Sequence, residues 1–349
     1  MNREEAIAYG AKQAVEACVR VRANDCVVII TDRETKHLGD AIEKAAKNVT
    51  ANVKLFVMED FGTRDLSGAH PLAFPEAIAN AMKEATASFY IAQGKKGELK
   101  TFRRPMCDYV DQYKIRHAHM IGFTEKMMGT GMAVDYQEVQ RVTKLVFDFV
   151  QNKKKIHVTT PAGTDFTAEF SPNLKWIISD GNIQPMNWKN LPDGETFTAP
   201  LNANGHVVVD GTLGDFFSEK YGLLEKNPVS YDLKDGWVVK GSIKSANKEL
   251  EAEFTKYVFE TDANSARLGE FAIGTNVGLK GLIGNLLQDE KFPGVHIAIG
   301  NPYPEKTGAD WKSDAHCDGV LQKTTIVVDG TTIMANGKFD FNILEGKTS

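Results

Sequence analysis

The feature that most constrains the fold is a change of texture near residue 152. Before it, short apolar runs alternate with helical periodicities. Residues 2–22 place Ala6, Ile7, Ala11, Ala14, Val15, Cys18 and Val19 on one face of a helix. Asp25–Ile30 is an apolar run between polar residues, the pattern of a buried strand. A helix over 37–48, a strand over 53–57, a helix over 74–85 and strands over 88–92 and 118–122 follow. A helix over 136–151 carries Val139, Val142, Leu145, Val146 and Phe149 on its apolar stripe. Strands alternating with helices predict a doubly wound, mostly parallel, Rossmann-like α/β domain over residues 1–152. Such sheets often bind nucleotides through a glycine-rich turn. Here the first strand is followed by Thr31-Asp-Arg-Glu-Thr-Lys36, with no glycine before Gly39. A structural or dimer-forming role is expected of this half.

After residue 152 turn signals come often: Pro161-Ala-Gly163, Ser179-Asp-Gly-Asn182, Pro192-Asp-Gly194, Asn204-Gly205, Asp210-Gly211, Asp235-Gly236, Asp329-Gly330 and Asn336-Gly337. Between them run short β-branched segments over 155–160, 206–210, 236–240 and 324–329, the pattern of hairpins. Helices are expected over 245–257 and 279–287, and Lys153-Lys154-Lys155 reads as a solvated linker. Residues 153–349 are thus expected to form a strand-rich, mixed α+β domain. Two cores suit a chain of 349 residues.

A formal net charge of −5 gives no reason to expect nucleic acid, whose binding needs a basic surface. No stretch approaches the ~20 apolar residues of a membrane span. The start, Met-Asn-Arg-Glu-Glu-Ala, is acidic where a secretory signal is basic and then apolar. The four cysteines, Cys18, Cys26, Cys107 and Cys317, show no framework spacing. A cytoplasmic protein is expected.

The residues with chemistry gather in the second half. His316 and Asp318 stand two apart, so in a strand both heads face one side and can reach one cation, while Cys317 points the other way to pack. Taken alone, such a pair is more often a surface pair. His296 opens the apolar run His-Ile-Ala-Ile-Gly300, as either a buried structural imidazole or a ligand. Glu270 lies in a strand-like stretch, Leu268–Ile273, where a buried carboxylate needs a partner or a metal. Glu195 follows a turn, where a glutamate is ordinarily solvated, and Tyr303, between two prolines, is ordinarily a packing residue. Together, two imidazoles and three carboxylates suit a hard or borderline divalent cation, or two sharing a carboxylate. A paired site of that kind activates water for hydrolysis.

The phrases Leu191-Pro-Asp-Gly-Glu-Thr-Phe-Thr-Ala-Pro200, Leu268-Gly-Glu270, His296-Ile-Ala-Ile-Gly-x-x-Tyr303 and His316-x-Asp318, with the turn Gly163-Thr-Asp-Phe166, resemble those of the metallopeptidase family of aminopeptidases T and S. The resemblance covers the second half in order; the first half agrees in layout. It implies Glu195, Glu270, His296, His316 and Asp318 as ligands of two divalent ions (Zn, Co or Mn), with Glu270 bridging and Tyr303 beside the metals. It implies a homodimer that removes N-terminal residues from peptides with a free N-terminus. Either Glu195 or Glu270 could serve as general base. The chain is shorter than the better-known members between His296 and His316. Gln288-Asp-Glu-Lys-Phe-Pro-Gly294 stands where an acidic-Asn-Ala phrase is expected.

Two other readings compete. Ring-cleaving dioxygenases of the 2,5-dihydroxypyridine type share the fold family and the His-x-Asp pair, and use one Fe(II) held by two histidines and a carboxylate. In them a histidine replaces Glu270, and the positions of Glu195 and His296 are not ligands. A non-catalytic or nucleotide-binding module would leave the six ordered polar residues without a purpose.

Overall fold

The computed structural model describes residues 1–64, 67–185 and 188–347. The chain forms two compact units, one of residues 1–137 with 181–193 and one of 138–180 with 194–349.

The first unit is built on a parallel sheet. Its strands β1 (Val27–Thr31), β2 (Val53–Val57), β3 (Ala87–Ala92) and β4 (Arg116–Ile121) lie in the order β2-β1-β3-β4, with the two-residue strand Lys189–Asn190 added beside β4. Every residue of β1 and β3 is buried, which is why these strands read as unbroken apolar runs. The helix Lys36–Lys47 packs Leu38, Ile42 and Ala46 inward, at the spacing of one helical face. At the end of β1, Asp32 accepts hydrogen bonds from the Thr35 amide (2.8 Å), the Gln93 amide (2.7 Å) and the Arg64 guanidinium (2.5 Å). These strand-end amides are therefore bonded to a carboxylate, where a glycine-rich turn would offer its amides to a phosphate.

One helical expectation needs correction in this unit. The helix over 2–22 is α-helical only over Arg3–Lys12, capped by Asn2 with Glu5, and continues as a wider π turn over Gln13–Cys18. Leu99–Gln112, for which no element was expected, is also helical, as a π turn to Arg103 and an α-helix from Arg104. Its buried face is only Phe102, Met106 and Val110, spaced four apart among charged residues, too thin a stripe to stand out.

The second unit is two antiparallel sheets. One has nine strands and includes Lys155–Thr159, Asp165–Glu169, Asn202–Val209, Val229–Lys234 and Thr325–Val328. The other has five, in the order His316–Leu321, Gly294–Gly300, Leu268–Gly274, Glu195–Thr198, Ile177–Ser179. They share one apolar core, with Phe166 and Phe170 of the first layer 6.2 and 5.3 Å by ring centroid from Phe271 of the second. The helix Lys248–Glu260, capped by the Asn247 side chain, buries Leu250, Phe254 and Val258 against that core.

Lys155 opens a strand, so only Lys153 and Lys154 precede regular structure. Asn204-Gly205 is no turn: it lies inside the Asn202–Val209 strand, where a side chain at Gly205 would stand 2.3 Å from the Asp165 carbonyl oxygen. The helix expected over 279–287 shrinks to Leu286–Asp289. The Asp289 carboxylate instead accepts from the amides of Ile283 and Gly284, holding the preceding residues in a loop. Of the described residues, no helix is long and apolar enough to cross a membrane.

Candidate metal centre

The five-stranded sheet sorts its side chains by the period of two. Asp318 pairs in register with Ala298, and Ala298 with Glu270, so these three lie side by side on one face. His316, His296, Ala272, Gly274 and Glu195 fall on the same face by alternation and register. The opposite face carries Phe271, Ile273, Val295, Ile297, Ile299, Cys317 and Leu321, all part of the core. Burying that apolar face leaves the polar heads no choice of side. On the same face the sheet has the small residues Ala272, Ala298, Gly274 and Gly300; at the two glycines other backbone closes in, the Phe292 carbonyl at Gly274 and the Ala315 carbonyl at Gly300.

The heads form a continuous chain of contacts. Glu195 Oε2 lies 3.2 Å from His296 Nε2, and His296 Nε2 lies 3.6 Å from Glu270 Oε1. The other oxygen of Glu270, Oε2, lies 3.8 Å from His316 Nε2, which is 3.2 Å from Asp318 Oδ2. Glu270 thus turns one oxygen to each imidazole. Donor atoms of Glu195, Glu270 and His296 lie within 4.8 Å of one another, as do those of Glu270, His316 and Asp318. A third grouping joins Glu290 to His296 and Asp318.

Electrostatics follow from burial and neighbours. Burial alone would lower both imidazoles. Glu195 and Glu270 override it at His296, and Asp318 and Glu270 at His316, raising each to about 10. Burial works to raise Asp318, but His316 and His296 hold it down to about 2. Burial raises Glu270, and Asp318 and Glu195 add to the rise as like charges, against His296 and His316. Without a cation, these imidazoles hold protons; a metal ion must displace them.

Sequence reasoning missed two further side chains. Lys291, almost fully buried, places Nζ 2.7 Å from Glu195 Oε1 and 2.7 Å from Glu290 Oε1. The two carboxyls respond oppositely. Glu195 is held down to about 2 against the pull of burial, because Lys291 and His296 both face it. Glu290 is pushed up to about 8 by burial, which prevails over the neighbouring Lys291 and is helped by Glu195 and Asp318 as like charges. Both residues reach the site because Gly274 lets their backbone approach. A side chain there would stand 2.1 Å from the Phe292 carbonyl oxygen and 2.9 Å from that of Glu290. Two adjacent charged residues after a short helix look like surface in a sequence. The departure of 288–294 from the family phrase was the only sign.

Tyr303 stands beside the cluster, its ring 4.7 Å by centroid from that of His316 and edge-on to Phe197. Its backbone is in the left-handed region, φ 51° and ψ 64°, and its amide donates to Asn301 Oδ1 (3.0 Å). His316 Nδ1 lies 3.0 Å from the Asn301 carbonyl oxygen, so it carries the proton and turns Nε2 toward the carboxylates. The structure therefore brings Glu195, Glu270, His296, His316 and Asp318 together with Tyr303 alongside. Glu195, which looks solvated in the sequence, is buried.

The cluster fits divalent cations. Glu195 Oε2 is sealed from solvent and makes no hydrogen bond of normal geometry, facing His296 Nε2 across 3.2 Å, a state that a cation between the two heads would satisfy. The donor set, imidazole nitrogen and carboxylate oxygen, is that of borderline to hard ions.

A family model described as thermophilic metalloprotease (M29) matches residues 131–338. No curated protein sequence matches the chain. Among solved structures, wild-type AmpT from Thermus thermophilus is similar over 96% of this chain and 99% of its own, with TM-score 0.68 and 18% identity. A 2,5-dihydroxypyridine dioxygenase from Pseudomonas putida KT2440 is similar over 97% and 98%, with TM-score 0.65 and 15% identity. At such identities both likenesses are of fold.

Proposed function

The chain belongs to the thermophilic metalloprotease (M29) family, and on that premise we propose that it is an aminopeptidase, removing residues from the free N-terminus of peptides at a pair of divalent ions. Residues 153–349 would be its catalytic domain. One observation carries this reading: Glu270 turns its two oxygens to two different imidazoles, each with a further carboxylate beside it. Glu195, Glu270 and His296 would hold one ion, and Glu270, His316 and Asp318 the other, with Glu270 shared.

Bound there, two divalent ions would supply a bridging water acidified toward neutrality and Lewis acidity for the scissile carbonyl. The chain's own groups have separate tasks. Asn301 orients His316; Lys291 and the sheet hold Glu195. Tyr303, whose hydroxyl burial and the Glu270 and Asp318 charges keep protonated, would donate to the carbonyl oxygen as negative charge develops on it. The proton of the attacking water would pass to a carboxylate at the site, Glu195 or Glu270. The resemblance to aminopeptidases T and S further supports a homodimer using Zn, Co or Mn, and four cysteines without framework spacing support a reducing, cytoplasmic compartment.

The ring-cleaving dioxygenase reading needs two histidines and one carboxylate on a single iron. The grouping around His316 offers one histidine and two carboxylates, which favours the hydrolase. Glu270→Gln tests the proposal. It is expected to abolish amino-acid release from leucyl amides and anilides, with metal content reduced and the circular dichroism spectrum unchanged. A chelator should stop the wild-type enzyme, and added Zn(II) or Co(II) restore it. Wild-type turnover in the variant, or oxygen-dependent opening of an aromatic diol by iron-loaded protein, would overturn the assignment.

A further inference from the structure

Lys291 is an unusual tenant of a metal centre. An ammonium buried to 4% exposure is rare unless fixed by carboxylates, and this one is bonded at 2.7 Å to both Glu195 and Glu290. Its backbone is fixed as well. The Lys291 carbonyl accepts from the Asn276 amide (2.9 Å), and its amide donates to the Gln288 carbonyl (3.0 Å). The close approach at Gly274 sets the depth of this segment. The ammonium is therefore held in place between two carboxylates.

Its place is asymmetric. It takes Oε1 of Glu195, leaving Oε2, which faces His296, as the only oxygen of that carboxylate turned to a cation. Glu195 belongs to the grouping of Glu195, Glu270 and His296 and not to that of Glu270, His316 and Asp318. A divalent ion in the first grouping would sit one carboxylate away from a fixed like charge, with a ligand whose negative charge is already shared. Coulomb repulsion over a few ångströms in a buried site is large.

Resting on the two-ion reading above, we propose that Lys291 makes the two cation positions unequal: the Glu270–His316–Asp318 position holds its ion tightly, and the Glu195–Glu270–His296 position binds weakly and exchanges. Lys291 is on this account a positioning residue that sets the metal occupancy of the chain, and through it the metal concentration at which the second ion is present.

The test reads metal and not turnover. Protein loaded with Zn(II) or Co(II) is passed through gel filtration, and bound metal per chain is measured by elemental analysis and by competition with a chromophoric chelator. Wild-type protein is expected to keep about one ion and lose the other. Lys291→Met and Lys291→Gln should keep about two, with the weaker dissociation constant improved at least about tenfold. Lys291→Arg, which retains the charge, should behave as wild type. Circular dichroism and thermal melts establish which variants fold, and the Gln variant carries the comparison if the Met variant does not. Two ions held equally tightly by wild type, or neutral variants that retain no more metal than wild type, would overturn the inference while leaving the two-ion reading intact. Wild-type protein that retains no ion at all, or a Glu270→Gln variant that retains as much metal as wild type, would overturn that reading itself.

Discussion

Single residues at this site do work that their neighbours cannot take over. Glu270 would be the shared donor of the proposed pair, because its two oxygens diverge toward two imidazoles. Tyr303 sits in a left-handed conformation that costs a non-glycine residue about 1–3 kcal/mol, a strain that tends to mark positions serving the site more than the fold. Tyr303→Phe keeps the ring against His316 and Phe197 and removes only the hydroxyl. If that hydroxyl donates to the developing oxyanion, kcat should fall about 10²-fold with KM and metal content little changed. Unchanged kcat in steady-state assays with a leucyl anilide would reduce Tyr303 to a packing residue.

Elements decide what those residues meet. The five-stranded sheet sends Ile297, Ile299 and Phe271 into the core and so commits His296, Ala298 and Glu270 to the other face; a slip of one residue would exchange the two sets. The same sheet ends at Gly274, where the 290–292 backbone closes in to deliver Glu290 and Lys291. Gly274→Ala would force a methyl within 2.1 Å of a carbonyl oxygen, and a destabilisation of about 1–3 kcal/mol is expected from urea unfolding. Gly281→Ala is the control. Nothing lies within 4 Å of its added methyl, and its midpoint should stay within about 0.5 kcal/mol of wild type. Equal effects at both positions would deny the close approach any special role.

At the scale of the whole molecule the two units differ in what they bury. The second unit buries a charged cluster suited to cations; the first buries, besides the ion pairs of Arg64 with Asp32 and Glu98, two neutral imidazoles. His117 is fully enclosed on β4 with Nδ1 2.8 Å from Ser88 Oγ, and burial pushes its pKa down to about 3. His119, 3.3 Å away, is pushed well below the usual value by burial and then by His117 and Arg103. An unfolded histidine titrates near ~6.5, so between about 3 and 6.5 the unfolded chain binds more protons than the folded one. The stability from keeping these rings neutral is thus fully present above about 6.5 and is lost as pH falls toward 3. By pH ~4.5 the loss from His117 alone should approach about 2–3 kcal/mol. Urea midpoints measured between pH ~6.5 and 4.5 should fall less steeply in His117→Gln. Parallel slopes would show that the ring is protonated in the fold, or solvated.

The amino-acid sequence by itself determined the class of both halves. Unbroken apolar runs such as Val27–Thr31 separated by helical stripes can become little else than a parallel sheet, and the alternation in Leu268–Gly274 and Gly294–Gly300 commits polar heads to one face. It also held the order of Glu195, Glu270, His296, His316 and Asp318, because i and i+2 spacing in a strand is a local property. What it could not hold was distance between strands. Which oxygen of Glu270 faces which imidazole, and that Glu195 is buried, depend on the register of strands far apart in sequence. Glu290 and Lys291 were invisible for the same reason: charged neighbours after a short helix become part of a site only when Gly274 admits their backbone. Local pattern chose the donors, and tertiary contact decided which charges stand beside them.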